Sequence, residues 1–213
     1  MAQVETKHYK DKRYNSLERF ISYSYQVSAI ENLNVKSVLE VGPGSFVVAS
    51  LLKQMGYSVH TSDFDSNVGA DTTADIRSLP FEDKSFDLTM ACQVLEHIPF
   101  EDFEKGLSEL SRTSSKYVVI SVPRRNTGFN FVFKIPFIQT LFKKSFFDIS
   151  ILFPVRFPGF AESDQHYWEI DFWQTSLGDV KKIIKKHFKI LKEFSPPLNK
   201  YHYFFILEKN ENR

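Results

Sequence analysis

The chain has 213 residues, with 27 basic against 26 acidic side chains and a formal net charge of +1. That length suits one well-buried domain and is too short for two large ones, and the balanced charge leaves no global field that would draw in nucleic acid. A single cysteine, Cys92, excludes an internal disulfide framework and a cysteine-based zinc site; no metal-ligand set is read from the rest of the sequence.

The first eleven residues are polar and of mixed charge, without the apolar core of a signal peptide. No apolar run approaches the roughly 18 residues that a membrane-spanning helix needs. The expectation is therefore a soluble, cytoplasmic protein. Over 14–32, Leu17, Phe20, Ile21, Tyr25, Val27 and Ile30 recur mainly at three- and four-residue intervals, which predicts an amphipathic helix capping the sheet that follows. Next, Ser37-Val38-Leu39-Glu40-Val41 reads as a buried strand that runs into Gly42-Pro43-Gly44-Ser45. Two glycines one residue apart allow a sharp turn and a close approach of backbone to a ligand. Ser45 is placed as the N-cap of a helix whose apolar positions Val48, Leu51, Leu52 and Met55 end at Gly56.

A dinucleotide fingerprint would carry its third glycine at position 47, which is Val47, and would keep carboxylates away from the pyrophosphate, yet Glu40 ends the strand. An acidic residue there suits a ligand carrying positive charge. A second strand, 57–62, ends on Asp63, where an open α/β sheet grips a ribose through its hydroxyls. Ala74-Asp75-Ile76, Leu79-Pro80-Phe81 and a fourth strand over 85–91 follow, and then Gln93-Val94-Leu95-Glu96-His97-Ile98. Pro99 opens a helix with Phe103, Leu107 and Leu110 facing inward, and 116–122 is a strand stopped by Pro123. A helix over 172–186 and strands over 187–194 and 201–208 complete the pattern. Such alternation predicts an α/β, Rossmann-like fold with a mostly parallel seven-stranded sheet and helices on both faces.

Glu40-x-Gly42-x-Gly44, Asp63, Asp75-Ile76 and Leu95-Glu96-His97-Ile98, in this order, resemble the class I S-adenosylmethionine-dependent methyltransferases, and the last string resembles those that act on small molecules. The resemblance implies S-adenosyl-L-methionine as cofactor. It implies that Glu40 organises the loop and the ligand's ammonium, that the amides around Gly42, Pro43 and Gly44 meet the methionine moiety, and that Asp63 with its neighbour Phe64 serves the ribose side. It further implies Asp75 as acceptor for the adenine amine with Ile76 packed on the ring, and backbone contacts from Cys92 and Gln93. Two departures stand out. Phe46 occupies a position where a third glycine often stands, and its ring either narrows the pocket or, as favoured here, packs beneath it. Only eleven residues separate Asp63 from Asp75, so the crossover helix is missing or a single turn and the third strand is short.

The organisation expected is one methyltransferase-like domain: an N-terminal helical cap (1–34), a cofactor-binding half (35–123), an acceptor-side insertion (124–164) and a C-terminal helix with strands (165–213). The insertion holds ten of the chain's phenylalanines together with Arg124, Arg125, Lys134, Lys143, Lys144 and Arg156. It is read as an aromatic-rich helical insertion, serving as a private core or homodimer contact, as a lid over the acceptor, or as a surface for a lipid-linked or membrane-surface substrate. After it, Asp164-Gln165-His166-Tyr167-Trp168-Glu169 resembles the segment that closes the acceptor site in some sugar-type methyltransferases. His166 and His97 are the candidate catalytic bases, because an unperturbed imidazole titrates near neutrality. The expected activity is methyl transfer to a small-molecule acceptor, O-methylation of a sugar or related metabolite first. The alternatives are a lipid, quinone or RNA methyltransferase, or a non-catalytic S-adenosylmethionine-binding partner subunit.

Overall fold

The computed structural model describes residues 14–31, 33–125, 128–142, 146–152, 166–172 and 175–210. Helix α1 (Leu17–Glu31) precedes strand β1 (Ser37–Val41), helix α2 (Val47–Gln54) and strand β2 (Ser58–Asp63). A two-residue strand β3 (Thr72–Thr73) leads to β4 (Phe86–Cys92), helix α3 (Phe103–Thr113) and β5 (Ser114–Pro123). The insertion contributes β6 (Gly128–Phe133), α4 (Ile138–Phe142) and β7 (Phe147–Leu152), and the chain closes with α5 (Leu177–His187), β8 (Phe188–Phe194) and β9 (His202–Lys209).

Seven strands form one sheet in the order β3-β2-β1-β4-β5-β9-β8. The first five run parallel, and β9 is antiparallel to both β5 and β8. Two apolar layers sandwich it. On one face Val38, Leu88, Met90, Tyr117, Val119 and Ile206 pack against Tyr23, Ala29 and Ile30 of α1 and Val48 and Leu52 of α2. On the other, Leu39, Val41, Val118, Ile120, Val122, Phe205 and Leu207 pack against Phe103, Leu107 and Leu110 of α3 and Val180 and Ile184 of α5. The two-residue period of each strand sorts these side chains: Val118, Ile120 and Val122 go one way, Tyr117 and Val119 the other.

The order reverses between β1 and β4, so the carboxyl ends of the two strands open a crevice at the switch point, where α/β sheets bind ligands. The short crossover after β2 is a single 3₁₀ turn (Ser66–Val68), as the eleven-residue gap requires. Two local expectations are corrected. Ser45 does not cap α2; its hydroxyl bonds Tyr23 Oη of α1 at 2.9 Å, and the N-cap is Phe46. The described part of the insertion is not helical in the main. It is an antiparallel hairpin, β6 on β7, with the five-residue α4 between them, because Phe129, Phe131 and Phe133 alternate with period two rather than 3.6.

Candidate functional site

The glycine loop starts where β1 ends. Gly42 has φ +72°, its N–H donates to Ser62 of β2 at 2.8 Å, and a Cβ there would overlap Val94 Cγ2 across the crevice. Glycine is thus required both by conformation and by space. Gly44 has φ +53° and Phe46 φ +60°, so the position where a third glycine often stands keeps the glycine-type backbone with a phenyl ring on it. Glu40 is buried beneath this loop on the α2 face, where the Ala49 N–H, one of the first-turn donors of α2 that lack an intrahelical partner, partly offsets the cost of ionising it. Its Oε2 makes no hydrogen bond among the described residues. Burial pushes its carboxyl up to about 8, so the ionised form needs a positive partner, and the crevice is where a cation would meet it.

Asp63 closes β2 with its Oδ1 accepting from the Asp65 N–H at 2.9 Å, and burial raises its pKa. Phe64 beside it is exposed. Cys92 ends β4 with a thiol that burial pushes up, and Gln93, at φ +60°, donates its N–H to Ser121 at 2.8 Å. Both backbones therefore turn at the same edge as the glycine loop. Asp75 and Ile76 are placed otherwise than expected. The Asp75 carboxylate takes Arg77 Nη2 at 2.6 Å and Nε at 3.0 and 3.1 Å, and Arg77 reaches on to Asp102 at 2.7 Å. Its hydrogen bonds from Arg77 hold its pKa below the usual carboxylate range. Ile76 is 2% exposed within the core layer against α3, so its side chain offers no face to an adenine ring.

The two histidines, 69 positions apart, meet edge to face with ring centroids 5.0 Å apart. Trp168 brings them together: its indole N–H is shared between the carbonyls of Leu95 and Ile98, at 3.2 and 3.1 Å, and the Tyr167 N–H bonds the Glu96 carbonyl at 2.9 Å. The segment after the insertion is thereby clamped to the turn after β4. His166 Nδ1 lies 2.9 Å from Glu169 Oε1, which also accepts from Tyr201 Oη at 2.6 Å, while Arg125 Nε meets Glu169 Oε2 at 2.8 Å. Burial pushes the Glu169 carboxyl up, but His166, Tyr201 and Arg125 outweigh it and hold it below the usual range. An ionised Glu169 can only accept, so His166 Nδ1 is the donor, and in the neutral tautomer the lone pair lies on Nε2. Glu96 is fully buried and pushed up to about 8 by burial, with its own backbone N–H and Arg19 offsetting part of this and Glu169 adding to it. One donor atom from each of Glu96, His97 and His166 lies within 4.8 Å of the others.

This crevice matches known architecture. Residues 39–117 match the family model described as a methyltransferase domain. Over that stretch the chain is similar to a methyltransferase domain, and its sheet has the class I methyltransferase fold. Its fold is similar to that of a methyltransferase from Aquifex aeolicus (TM-score 0.60, 12% identity, covering 98% of this chain and 100% of that one). It is also similar to the magnesium protoporphyrin IX methyltransferase of Synechocystis PCC 6803 with bound S-adenosylhomocysteine (0.54, 16%, 91% and 83%). A third is the 1,6-didemethyltoxoflavin-N1-methyltransferase of Burkholderia thailandensis (0.59, 12%, 95% and 82%). At these identities the likeness is one of fold. No curated protein matches the chain.

A methyltransferase domain uses S-adenosylmethionine, and one feature of the crevice fits it: the partnerless Glu40 oxygen suits its ammonium. Among the described residues, no helix is long and apolar enough to cross a membrane. Of the insertion's basic residues, Arg124 is paired with Asp171 at 2.7 Å and Arg125 with Glu169, so neither is a spare cation for an anionic surface. Lys143, Lys144 and Arg156, with Asp164 and Gln165, lie outside the described residues. Glu96, Glu169, Arg125 and Tyr201 were not singled out as site residues in the sequence. The local signals were the adjacency of Glu96 to His97 and the three-residue spacing of His166 and Glu169; Arg125 and Tyr201 join through tertiary contacts.

Proposed function

We propose that this protein methylates an oxygen of a small-molecule acceptor, a sugar or related metabolite being the first class to test. The observation that carries this reading is the imidazole pair: His166, fixed through Nδ1 by Glu169, and His97 against it, at the edge of the glycine loop's crevice. An oriented lone pair is useful to an acceptor that must lose a proton, as a hydroxyl must, and of little use to one that need not. Two proteins of similar fold, named above, are methyltransferases of magnesium protoporphyrin IX and of 1,6-didemethyltoxoflavin, which supports a small acceptor. Bound S-adenosylmethionine supplies the electrophilic methyl group. The chain's part is to hold: Glu40 the ammonium, the Gly42, Pro43 and Gly44 backbone the methionine end, Asp63 and Phe64 the ribose side, and the Cys92–Gln93 backbone the border with the acceptor. Incubation with methyl-labelled cofactor and a panel of hydroxylated metabolites should transfer label. His166→Ala should cut turnover about 100-fold with cofactor affinity unchanged. Unchanged turnover and pH profile in both His166→Ala and His97→Ala would remove the imidazoles from the reaction. Tight cofactor binding with no labelled product from any acceptor would favour the non-catalytic subunit.

A second reading rests on the hairpin. Register pairs Phe129 with Ile151, Phe131 with Ile149 and Phe133 with Phe147, so one face of it is apolar. Phe129 is 63% and Phe131 52% exposed. Such a face suits an acceptor presented by a lipid surface, a quinone or lipid-linked sugar. Sedimentation with anionic vesicles, weakened by Phe129→Ser with Phe131→Ser, would support it; absence from the vesicle pellet would exclude it.

A further inference from the structure

We propose that Glu96, His97 and His166 bind a divalent first-row transition metal that holds the acceptor's hydroxyl beside the cofactor crevice; the metal's role, though not its binding, rests on the O-methylation reading above. The donor atoms lie within 4.8 Å of one another, and ligands each about 2.1 Å from one ion can stand no more than roughly 4.2 Å apart. Side-chain rotation by about half an ångström closes that difference. The second observation is Glu96 itself. It is 0% exposed, and neither carboxylate oxygen has a hydrogen-bond partner among the described residues. A buried carboxylate left in that state carries a large desolvation penalty. A cation bound by the carboxylate would offset that penalty.

The third observation is the support behind His166. A metal-bound imidazole commonly donates its other ring N–H to a carboxylate, which fixes tautomer and orientation. Glu169 stands in that place at 2.9 Å, itself held by Arg125 and Tyr201. Trp168 pins both ligand segments to each other, so the site is built by the fold. Two imidazoles and one carboxylate suit zinc, manganese, iron or cobalt better than magnesium or calcium, which prefer all-oxygen shells. Three protein ligands leave positions open for a substrate oxygen. The His97 N–H bonds the Val94 carbonyl at 3.0 Å, and Val94 faces Gly42, so a coordinated hydroxyl would sit next to the cofactor's methionine end. Coordination lowers the hydroxyl's pKa, and its proton passes to water; the imidazole pair then assists loss of the acceptor's proton through the ion it holds rather than by taking the proton itself.

Cobalt(II) titration of the chelator-treated full chain tests the binding. We expect one equivalent per chain, read as visible d–d absorption that zinc displaces. Glu96→Gln and His166→Ala should each weaken binding at least tenfold, with circular dichroism unchanged, and Glu169→Gln should weaken it 10- to 100-fold through the imidazole it orients. Should Glu96→Gln fail to fold, His166→Ala at the half-buried ligand carries the same comparison. No stoichiometric absorption, or affinity unaltered in the folded variants, overturns the site. Full methyl transfer by the metal-free protein overturns the metal's role while leaving the O-methylation reading in place. Stoichiometric metal with no transfer to any hydroxylated acceptor overturns that reading while leaving the site.

Discussion

At Gly42 the backbone angle and the neighbouring side chain make the same demand. An alanine would sit at φ +72° with its Cβ inside Val94, and the left-handed conformation alone costs about 1–2 kcal/mol for a residue with a side chain. Gly42→Ala should therefore lower stability by at least that amount in urea unfolding and weaken cofactor binding; Val94→Ala added to it should recover the steric part only. Glu40 makes a prediction of its own. Its carboxyl, raised by burial to about 8, must ionise to pair with an ammonium, so cofactor affinity should climb as pH rises towards 8 and release a proton on binding. Calorimetry in buffers of different ionisation enthalpy would show it, and Glu40→Gln should flatten the profile. Asp75 is the counterexample: an acidic residue in the right sequence position, whose guanidinium partner two residues on takes its carboxylate.

At the scale of elements, the segment after the insertion matters through its attachment. Trp168 is buried, packs edge to face on Phe100 and Phe103, and donates to the turn after β4. Trp168→Phe should keep most of that packing but leave the Leu95 and Ile98 carbonyls short of a donor, costing about 1–3 kcal/mol. Because His166 reaches His97 through this clamp, turnover should fall more steeply than cofactor affinity. Equal turnover in the variant would mean the clamp does not position the imidazoles. Helix α3 carries a similar constraint at Gly106, where a Cβ would lie 2.9 Å from Leu95 Cδ2 and so push on the same turn.

At the scale of the whole molecule, buried ionisable groups set the pH range of stability. Glu40 has a folded pKa above its unfolded value of 4.5, so the folded apoprotein holds a proton that the unfolded chain releases. Its contribution is complete below that unfolded value and is lost as pH rises to about 8. His202, bonded to Ser22 at 2.7 Å and lowered by burial to about 3, acts in the opposite sense. Its contribution is complete above 6.5 and is lost as pH falls towards 3. Glu96, also raised to about 8, acts in the same sense as Glu40, so these three groups place the apoprotein's greatest stability near pH 4.5. Saturating cofactor should raise the melting temperature most on the alkaline side, where Glu40 lacks its cation; Glu40→Gln should abolish that difference in thermal scans.

The strand and helix alternation, the glycine turn, the acidic residue ending β2 and the choice of cofactor were legible in the sequence, since each depends on residues within a few positions of one another. The same locality misled where a neighbour out of pattern competed, as Arg77 does for Asp75, and where the two-residue spacing of Phe129, Phe131 and Phe133 is hidden in a phenylalanine-rich segment. The meeting of Glu96, His97 and His166 was decided by tertiary structure alone. An indole from one segment reaching two carbonyls of another, and a carboxylate held by Arg125 and Tyr201 from two further elements, have no local signature, because the contacts exist only once the sheet has brought its carboxyl ends to one edge.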